Sequence, residues 1–297
     1  MKKLNTFIII LCFFIMPSFS EESKEINNNN NNNSNATENS SDKKVPEKSK
    51  SNKLKLFALS PLTDTLLISG GLGLNTTNII LEKACHYNSI TPEQYDFSTE
   101  NIPTFDQLFM TDYSKGLNYT AYGSLFLVGI SPIIFITQPK SDWVPILVMY
   151  GESLLWANGL KELGKILVNR ARPYMYYENY PQDKVDDGDW AKSWPSGHTT
   201  IAFTSAMFTS YLFCQYNSDS KYKTLVIAST FSIASATGIL RMCSGNHFYS
   251  DVLTGMVIGS VSGFVVPMLH NIFYKNQNNS NTNISLLPNG INFTISF

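Results

Sequence analysis

Residues 241–274 read RMCSGNHFYSDVLTGMVIGSVSGFVVPMLHNIFY, and their order decides how the chain folds. A basic, histidine-bearing segment runs straight into a long stretch of apolar and small residues, a length that suits a helix and not a strand. His247 and Asp251 stand four apart, so the carboxylate can hold the imidazole if the pair opens that helix. An oriented imidazole with its far nitrogen free is a nucleophile, and Asp251 stabilises positive charge on the ring. Arg241 adds a planar fork suited to phosphate oxygens. A purely structural hydrogen bond between His247 and Asp251 explains that pair equally well.

Two upstream clusters carry matching chemistry. Lys165 precedes Arg172 by seven residues, two helical turns, so both cations share one face, and Pro173 ends the helix. A basic helix C-terminus is common in any protein, because cations offset the helix dipole there. The second cluster, Pro195-Ser196-Gly197-His198, stands immediately before another apolar stretch. Ser196 is placed to cap that helix, Gly197 lets backbone approach an anion, and free amides at a helix N-terminus attract one. His198 can then deliver a proton to a leaving oxygen. A capped turn with an incidental histidine fits that fragment as well.

Outward from these clusters the chain divides into four parts. Residues 1–20 read as an export signal, with Lys2 and Lys3, an apolar run from Phe7 to Met16, and small Ser18 and Ser20. Residues 21–53, with asparagine unbroken from Asn27 to Asn33, read as a linker too polar to order itself. Residues 54–275 hold apolar stretches near 62–81, 119–136, 143–168, 198–215, 223–240 and 251–274. The second and the last two are the best candidates to cross a bilayer. Glu152, Lys161, Glu162 and Lys165 interrupt the third, and such charges face a bundle interior or water. In the tail, residues 276–297, Pro288-Asn289-Gly290 sits between β-like runs and predicts a short capping hairpin. The expected fold is therefore all-α, a transmembrane six-helix bundle with a C-terminal β-hairpin.

Composition narrows the function classes. Only 15% of residues are charged and the net charge is -1, which excludes the basic stripe of a nucleic-acid binder. Beyond the signal, Cys85, Cys214 and Cys243 lack metal-ligand spacing and read as apolar fillers. No cysteine is followed by arginine six positions later, so a cysteine-dependent phosphatase loop is absent.

Taken together, Lys165–Pro173, Pro195–His198 and Arg241–His247–Asp251 resemble the signature of the type 2 phosphatidic acid phosphatase and haloperoxidase superfamily, Lys-x6-Arg-Pro, Pro-Ser-Gly-His and Ser-Arg-x5-His-x3-Asp. Leu240 stands where that signature has serine. The resemblance covers roughly residues 143–269 and implies that His247 attacks phosphorus, that Asp251 orients it, and that His198 protonates the leaving alkoxide. It implies that Lys165, Arg172, Ser196, Gly197 and Arg241 hold the phosphate oxygens, with no metal and no cofactor. Fixed cations give the positioning and countercharge that phosphoryl transfer needs.

The expected activity is hydrolysis of a phosphate monoester, such as a lipid phosphate, with the membrane as milieu and neither nucleic acid nor an obligatory protein partner. Other readings remain: a soluble periplasmic acid phosphatase of the same superfamily, a lipid phosphotransferase, a vanadium haloperoxidase, or a non-enzymatic membrane component. Export with six crossings would leave the motif ends in the cytoplasm. Lys140, Lys221, Lys223 and Lys275, however, lie on the side opposite the site, where the cytoplasm is expected. A first helix that fails to cross reconciles the two, giving an inner-membrane enzyme of the bacterial envelope with a periplasm-facing site. Tyr174, Tyr176, Tyr177 and Tyr180 suit a membrane interface or the mouth of the site. The run Asp186-Asp187-Gly188-Asp189 suits a solvated loop.

Overall fold

The computed structural model of the chain describes residues 56–86, 90–279, 282–287 and 290–295. The expected export signal and linker, residues 1–20 and 21–53, lie outside the described residues. Six long helices follow the six apolar stretches: α1 Pro61–Ile79, α2 Lys115–Gly129, α3 Lys140–Val168, α4 Gly197–Tyr216, α5 Lys223–Cys243 and α6 Tyr249–Asn279. A 3-10 segment, Ser131–Thr137, continues α2. The segments Lys115–Thr137, Lys223–Cys243 and Tyr249–Tyr274 are long and apolar enough to cross a membrane. They are the three stretches the sequence singled out, and α1 is not among them. Beyond α6, β1 Thr282–Leu287 and β2 Gly290–Ile295 pair antiparallel. The intervening turn residues, 288–289, lie outside the described residues.

Each helix ends where local chemistry stops it. Ser114 accepts the Leu117 amide at the start of α2. Asn169 adopts a left-handed conformation (φ 51°) and returns its N–H to the Lys165 carbonyl at 3.0 Å, closing α3. That reversal sends Arg170, Ala171 and Arg172 back across the bundle end, so Arg172 does not share the α3 face expected with Lys165, and Asn169 rather than Pro173 ends the helix. After α5 the chain turns at Gly245 (φ 70°), where a Cβ would strike the carbonyls of Thr111 and Asp112. The turn delivers Asn246 and His247 to the site.

Helix α4 is the central post, in contact with α2, α3, α5 and α6. Its buried serine and threonine hydroxyls are satisfied internally or by neighbours. Thr200 and Thr204 donate to carbonyls one turn back, and Ser205, Thr209 and Ser210 pair with Tyr150, Ser131 and Thr230 at 2.7–3.0 Å. Against it, α6 presents Gly255, Gly259 and Gly263, one per turn. A Cβ at any of them would collide with the carbonyl of Ser196, Thr200 or Thr204 in turn. Small residues at this spacing let two helix backbones touch, which sustains packing where lipid weakens the hydrophobic drive. This seam fixes the start of α6 beside the start of α4.

Two apolar clusters bracket the bundle. Phe57, Phe135, Ile146, Met149, Phe208 and Leu212 fill the end where α3 begins and α4 finishes. At the other end the loops carry their own core of Ala171, Tyr174, Met175, Trp190 and Ala191, joined by Tyr95, Phe97 and Tyr176. Tyr174 is thus fully buried and Tyr176 half-buried, while Tyr177 and Tyr180 are exposed. The proposed interface or mouth role fits only the latter two.

If the α4–α6 seam holds the bundle together, Gly259→Ala will lower the thermal midpoint of the detergent-purified protein by several degrees, an overpacking cost of about 1–3 kcal/mol. Gly123→Ala, at a position with open space around it, will leave the midpoint unchanged or raise it.

Candidate active site

The end of α3, the start of α4, the end of α5 and the start of α6 meet, and every site residue expected from the sequence stands at one of these four ends. A Cβ at Gly197 would lie 3.3 Å from Lys161 Cδ and 3.7 Å from Lys165 Nζ, so the turn before α4 lies against the two lysines. Lys165 is held by Glu162 at 3.2 Å, and Lys161 pairs with the same carboxylate. Arg241, almost fully buried, donates Nη1 to Asn118 of α2, and its Nε has no protein partner. His198 stacks edge-on against Tyr122 at 4.4 Å, and its buried Nε2 also lacks a partner. Buried polar atoms without partners are uncommon in folded proteins. These two belong to groups that lie in each other's field, together with Lys165, Arg172 and His247. Such a concentration of donors fits a tetrahedral oxyanion and needs no metal to hold one.

His247 is the most constrained member. Its Nδ1 lies 2.7 Å from the Ser193 carbonyl, which can only accept, so Nδ1 carries the hydrogen and Nε2 keeps the lone pair. The Asp251 carboxylate is 3.7 Å from Nδ1, beyond hydrogen-bond range. The expected direct clasp of His247 by Asp251 is therefore replaced by a backbone carbonyl, with the carboxylate alongside. Asp251, fully buried, instead accepts from Ser193 Oγ at 2.5 Å, the Phe248 amide at 2.8 Å and Arg170 Nη1 at 2.7 Å. It fixes the segment that carries the clasping carbonyl.

Ser196 departs from expectation in a similar way. Its side chain makes no capping bond to the α4 backbone; its hydroxyl pairs with Thr199 Oγ1 at 2.8 Å. Its own amide is taken by the Asp251 carbonyl at 3.0 Å, one more tie between α4 and α6. Arg172 is also more engaged than a bare clamp. Nε and Nη2 bond the carbonyl and carboxylate of Asp189 at 2.8 and 2.6 Å, while Nη1 reaches the Asn246 carbonyl at 2.9 Å and His247 Nε2 at 3.1 Å. Asp189 belongs to the acidic run read as solvated. Asp186 and Asp187 are exposed, but Asp189 lies folded inward because Arg172 and Lys184 draw it there.

Several contributors carried no signal in the sequence reading. Arg170 bridges Asp251 and Asp106 at 2.7 and 2.8 Å and lies 3.9 Å above the Phe248 ring. A second arginine two residues before Arg172 was the available hint. Asp106 comes from a short helical turn far upstream and also accepts the Ser250 amide and hydroxyl. Lys184 donates to Asn246 Oδ1 at 2.9 Å and adds another cation to the rim.

The charges leave their mark on proton affinities. Burial, then Arg172 and Arg241, hold His247 well below the ordinary histidine value. Burial, then Arg241 and His247, depress His198 in the same direction. Burial followed by Arg172 pushes Lys184 down to about 8. Against the upward pull of burial, Arg172 and Lys184 keep Asp189 far below the usual carboxylate range. The field therefore disfavours a charged ring in both histidines, and a dianion held by the same cations would oppose it and raise both.

The family model described as PAP2 superfamily matches residues 146–275. The chain is 27% identical to a lipid A 1-phosphatase of Porphyromonas gingivalis over 151 residues, 51% of this chain and 30% of that protein. A PA-phosphatase related-family protein of Dictyostelium discoideum is 30% identical over 92 residues, 29% of this chain and 34% of that one. The chain thus spans about a third of the length of the curated relatives it matches. Among solved structures, a transmembrane PAP2 type phosphatidylglycerolphosphate phosphatase from Bacillus subtilis aligns at 23% identity over 67% of this chain and 94% of that one, with a TM-score of 0.38. LpxE of Aquifex aeolicus aligns at 21% identity over 60% and 98%, also at 0.38. Every residue of the cage, from Lys165 to Asp251, falls inside the segment 146–275 that the PAP2 superfamily model matches.

Proposed function

We propose that this chain is a lipid phosphate phosphatase that works through a phosphohistidine on His247. The observation that carries the reading is the tautomer imposed on that ring. With Nδ1–H committed to the Ser193 carbonyl, the Nε2 lone pair faces the cations at 3.1 Å from Arg172. Phosphate oxygens entering between Lys165, Arg172, Arg241 and the Gly197 amide compete for Arg172 Nη1 and release that lone pair. Nε2 then forms a bond to phosphorus while the ester P–O bond breaks, and His198 gives its proton to the departing alkoxide. The dianion has by then raised the proton affinity of His198, so the acid is loaded only when substrate is present. Water next attacks phosphorus, His198 takes back a proton, the P–N bond breaks and phosphate leaves.

A lipid substrate is supported by the surface of the bundle. Phe126, Leu127, Ile133, Leu225 and Val257, on the three membrane-length segments, are exposed, as lipid-facing residues are. The relatives, a lipid A 1-phosphatase and a PA-phosphatase related-family protein, point to the same substrate class. This exposure favours a membrane enzyme over a soluble periplasmic one. The reading puts the site on the periplasmic face of the inner membrane.

Phosphate release from phosphatidic acid, phosphatidylglycerophosphate, an isoprenyl pyrophosphate and a lipid A phosphate tests the assignment. His247→Ala will lower the rate on the preferred lipid by at least about 10^3-fold. His198→Ala will lower it by about 10^2–10^4-fold, and by less on p-nitrophenyl phosphate, whose leaving group needs no proton. Unchanged release by His247→Ala would sink the proposal.

The acid limb of kcat/KM reports the free enzyme, where His247 must be neutral to attack. Its depressed proton affinity sets that limb below the ordinary histidine range. Arg241→Gln removes one of the depressing charges and will move the limb to higher pH while raising KM. For orientation, Cys243 is exposed at the end of α5 near the site. In a Cys85→Ser background, a membrane-impermeant maleimide will label it in cells with a permeabilised outer membrane; labelling only after inner-membrane lysis would reverse the topology.

A further inference from the structure

We propose that Asp64, Glu152 and His270 form a binding site for a divalent first-row cation, Zn2+ by preference, that staples α1 to α3 and α6. The three residues come from three different helices, and one ligand atom from each lies within 4.8 Å of the others. His270 Nε2 is 2.8 Å from Glu152 Oε2 and 3.6 Å from Asp64 Oδ1. Ligands about 2.0–2.1 Å from a tetrahedral Zn2+ lie about 3.3 Å apart, so small side-chain rotations bring this set to bonding geometry. The cluster is separate from the phosphate cage. Glu152 and Lys165 share α3 but lie about 20 Å apart along it, at about 1.5 Å of rise per residue.

The case rests on what an ion pair leaves undone. His270 is 1% and Glu152 2% exposed, yet Asp64 Oδ1, Glu152 Oε1 and His270 Nδ1 are all buried without a hydrogen-bond partner. A histidinium balances one carboxylate at most, so a buried negative charge and its bare oxygens remain. Both are expensive away from water, the more so among helices of membrane length. A dication cancels both carboxylates and takes up the bare oxygens, with bidentate binding or a water completing the shell. One imidazole with two carboxylates is a donor set for Zn2+ or its neighbours, and imidazole and carboxylate are both common Zn2+ ligands. Zn2+ alone is therefore a fair probe. Binding also has a structural task to perform. Helix α1 meets α3 through Gly70 and Gly71 against Trp156 and Leu155, but has little direct contact with α6.

The test uses the full-length, untagged chain in detergent, stripped with a chelator, incubated with Zn2+ and freed of excess by gel filtration. The wild type will retain about one Zn2+ per chain, and saturating Zn2+ will raise its thermal midpoint by about 5 °C or more. Glu152→Gln keeps an oxygen for His270 but removes the charge, and His270→Gln removes the imidazole. Each will lose the retained metal and the thermal response while keeping its helical circular dichroism. No Zn2+ on the wild type, or equal retention by both variants, overturns the proposal. Should the variants not fold, X-ray absorption at the zinc edge of the wild type decides. One imidazole among oxygen ligands is expected; sulfur ligands or several imidazoles place the metal elsewhere and refute the site.

Discussion

The arrangement at the head of this bundle depends on one buried carboxylate. Asp251 is wholly enclosed and accepts from Ser193 Oγ, the Phe248 amide and Arg170, while its own carbonyl takes the Ser196 amide. Those four bonds join the segment after α3, the segment before α4 and the first turn of α6. Burying a charge is tolerable only when charge and hydrogen bonds both compensate it, and Arg170 with two further donors to the carboxylate meets that condition. Removing Arg170 would strand both Asp251 and Asp106. His247 is therefore positioned indirectly, with the carboxylate holding Ser193 and the Ser193 carbonyl holding the ring.

Crowding cations around an empty centre is unfavourable, and the protein manages it by giving each a local companion. Lys165 has Glu162, Arg172 has Asp189, and Arg241 has the Asn118 amide oxygen. These partners keep the positive groups aimed and in place before any anion arrives, so little reorganisation is left for the reaction itself. The same field lowers the proton affinity of both histidines, and in the proposed reaction an entering dianion opposes that effect.

The packing that makes this possible is backbone against backbone. Gly255, Gly259 and Gly263 let α6 lie on the carbonyls of α4, and no side chain could be inserted without separating them. The glycine ladder holds the start of α6 close against the start of α4, where His247 and the Pro195–His198 turn lie. The apolar loop core around Tyr174 and Trp190 closes the same end from the other side.

Helix extents, the three motif ends and the cationic character of the site were legible along the chain, because each is a local property. Apolar runs report their own length. The helix faces expected from spacings of seven and four residues did not form, because α3 ends at Val168 before Arg172 and α6 begins at Tyr249 after His247. The groups that do the holding were not legible. The Ser193 carbonyl has no side-chain signature, since every residue carries one. Asp189 looked like its solvated neighbours until Arg172 drew it inward. Asp106 and Arg170 meet across 64 residues of sequence, and Glu152 and His270 across 118. Sequence determined which chemistry is present and at which helix ends; only the tertiary structure decided who holds whom, because hydrogen bonds and burial depend on distances that chain order does not encode.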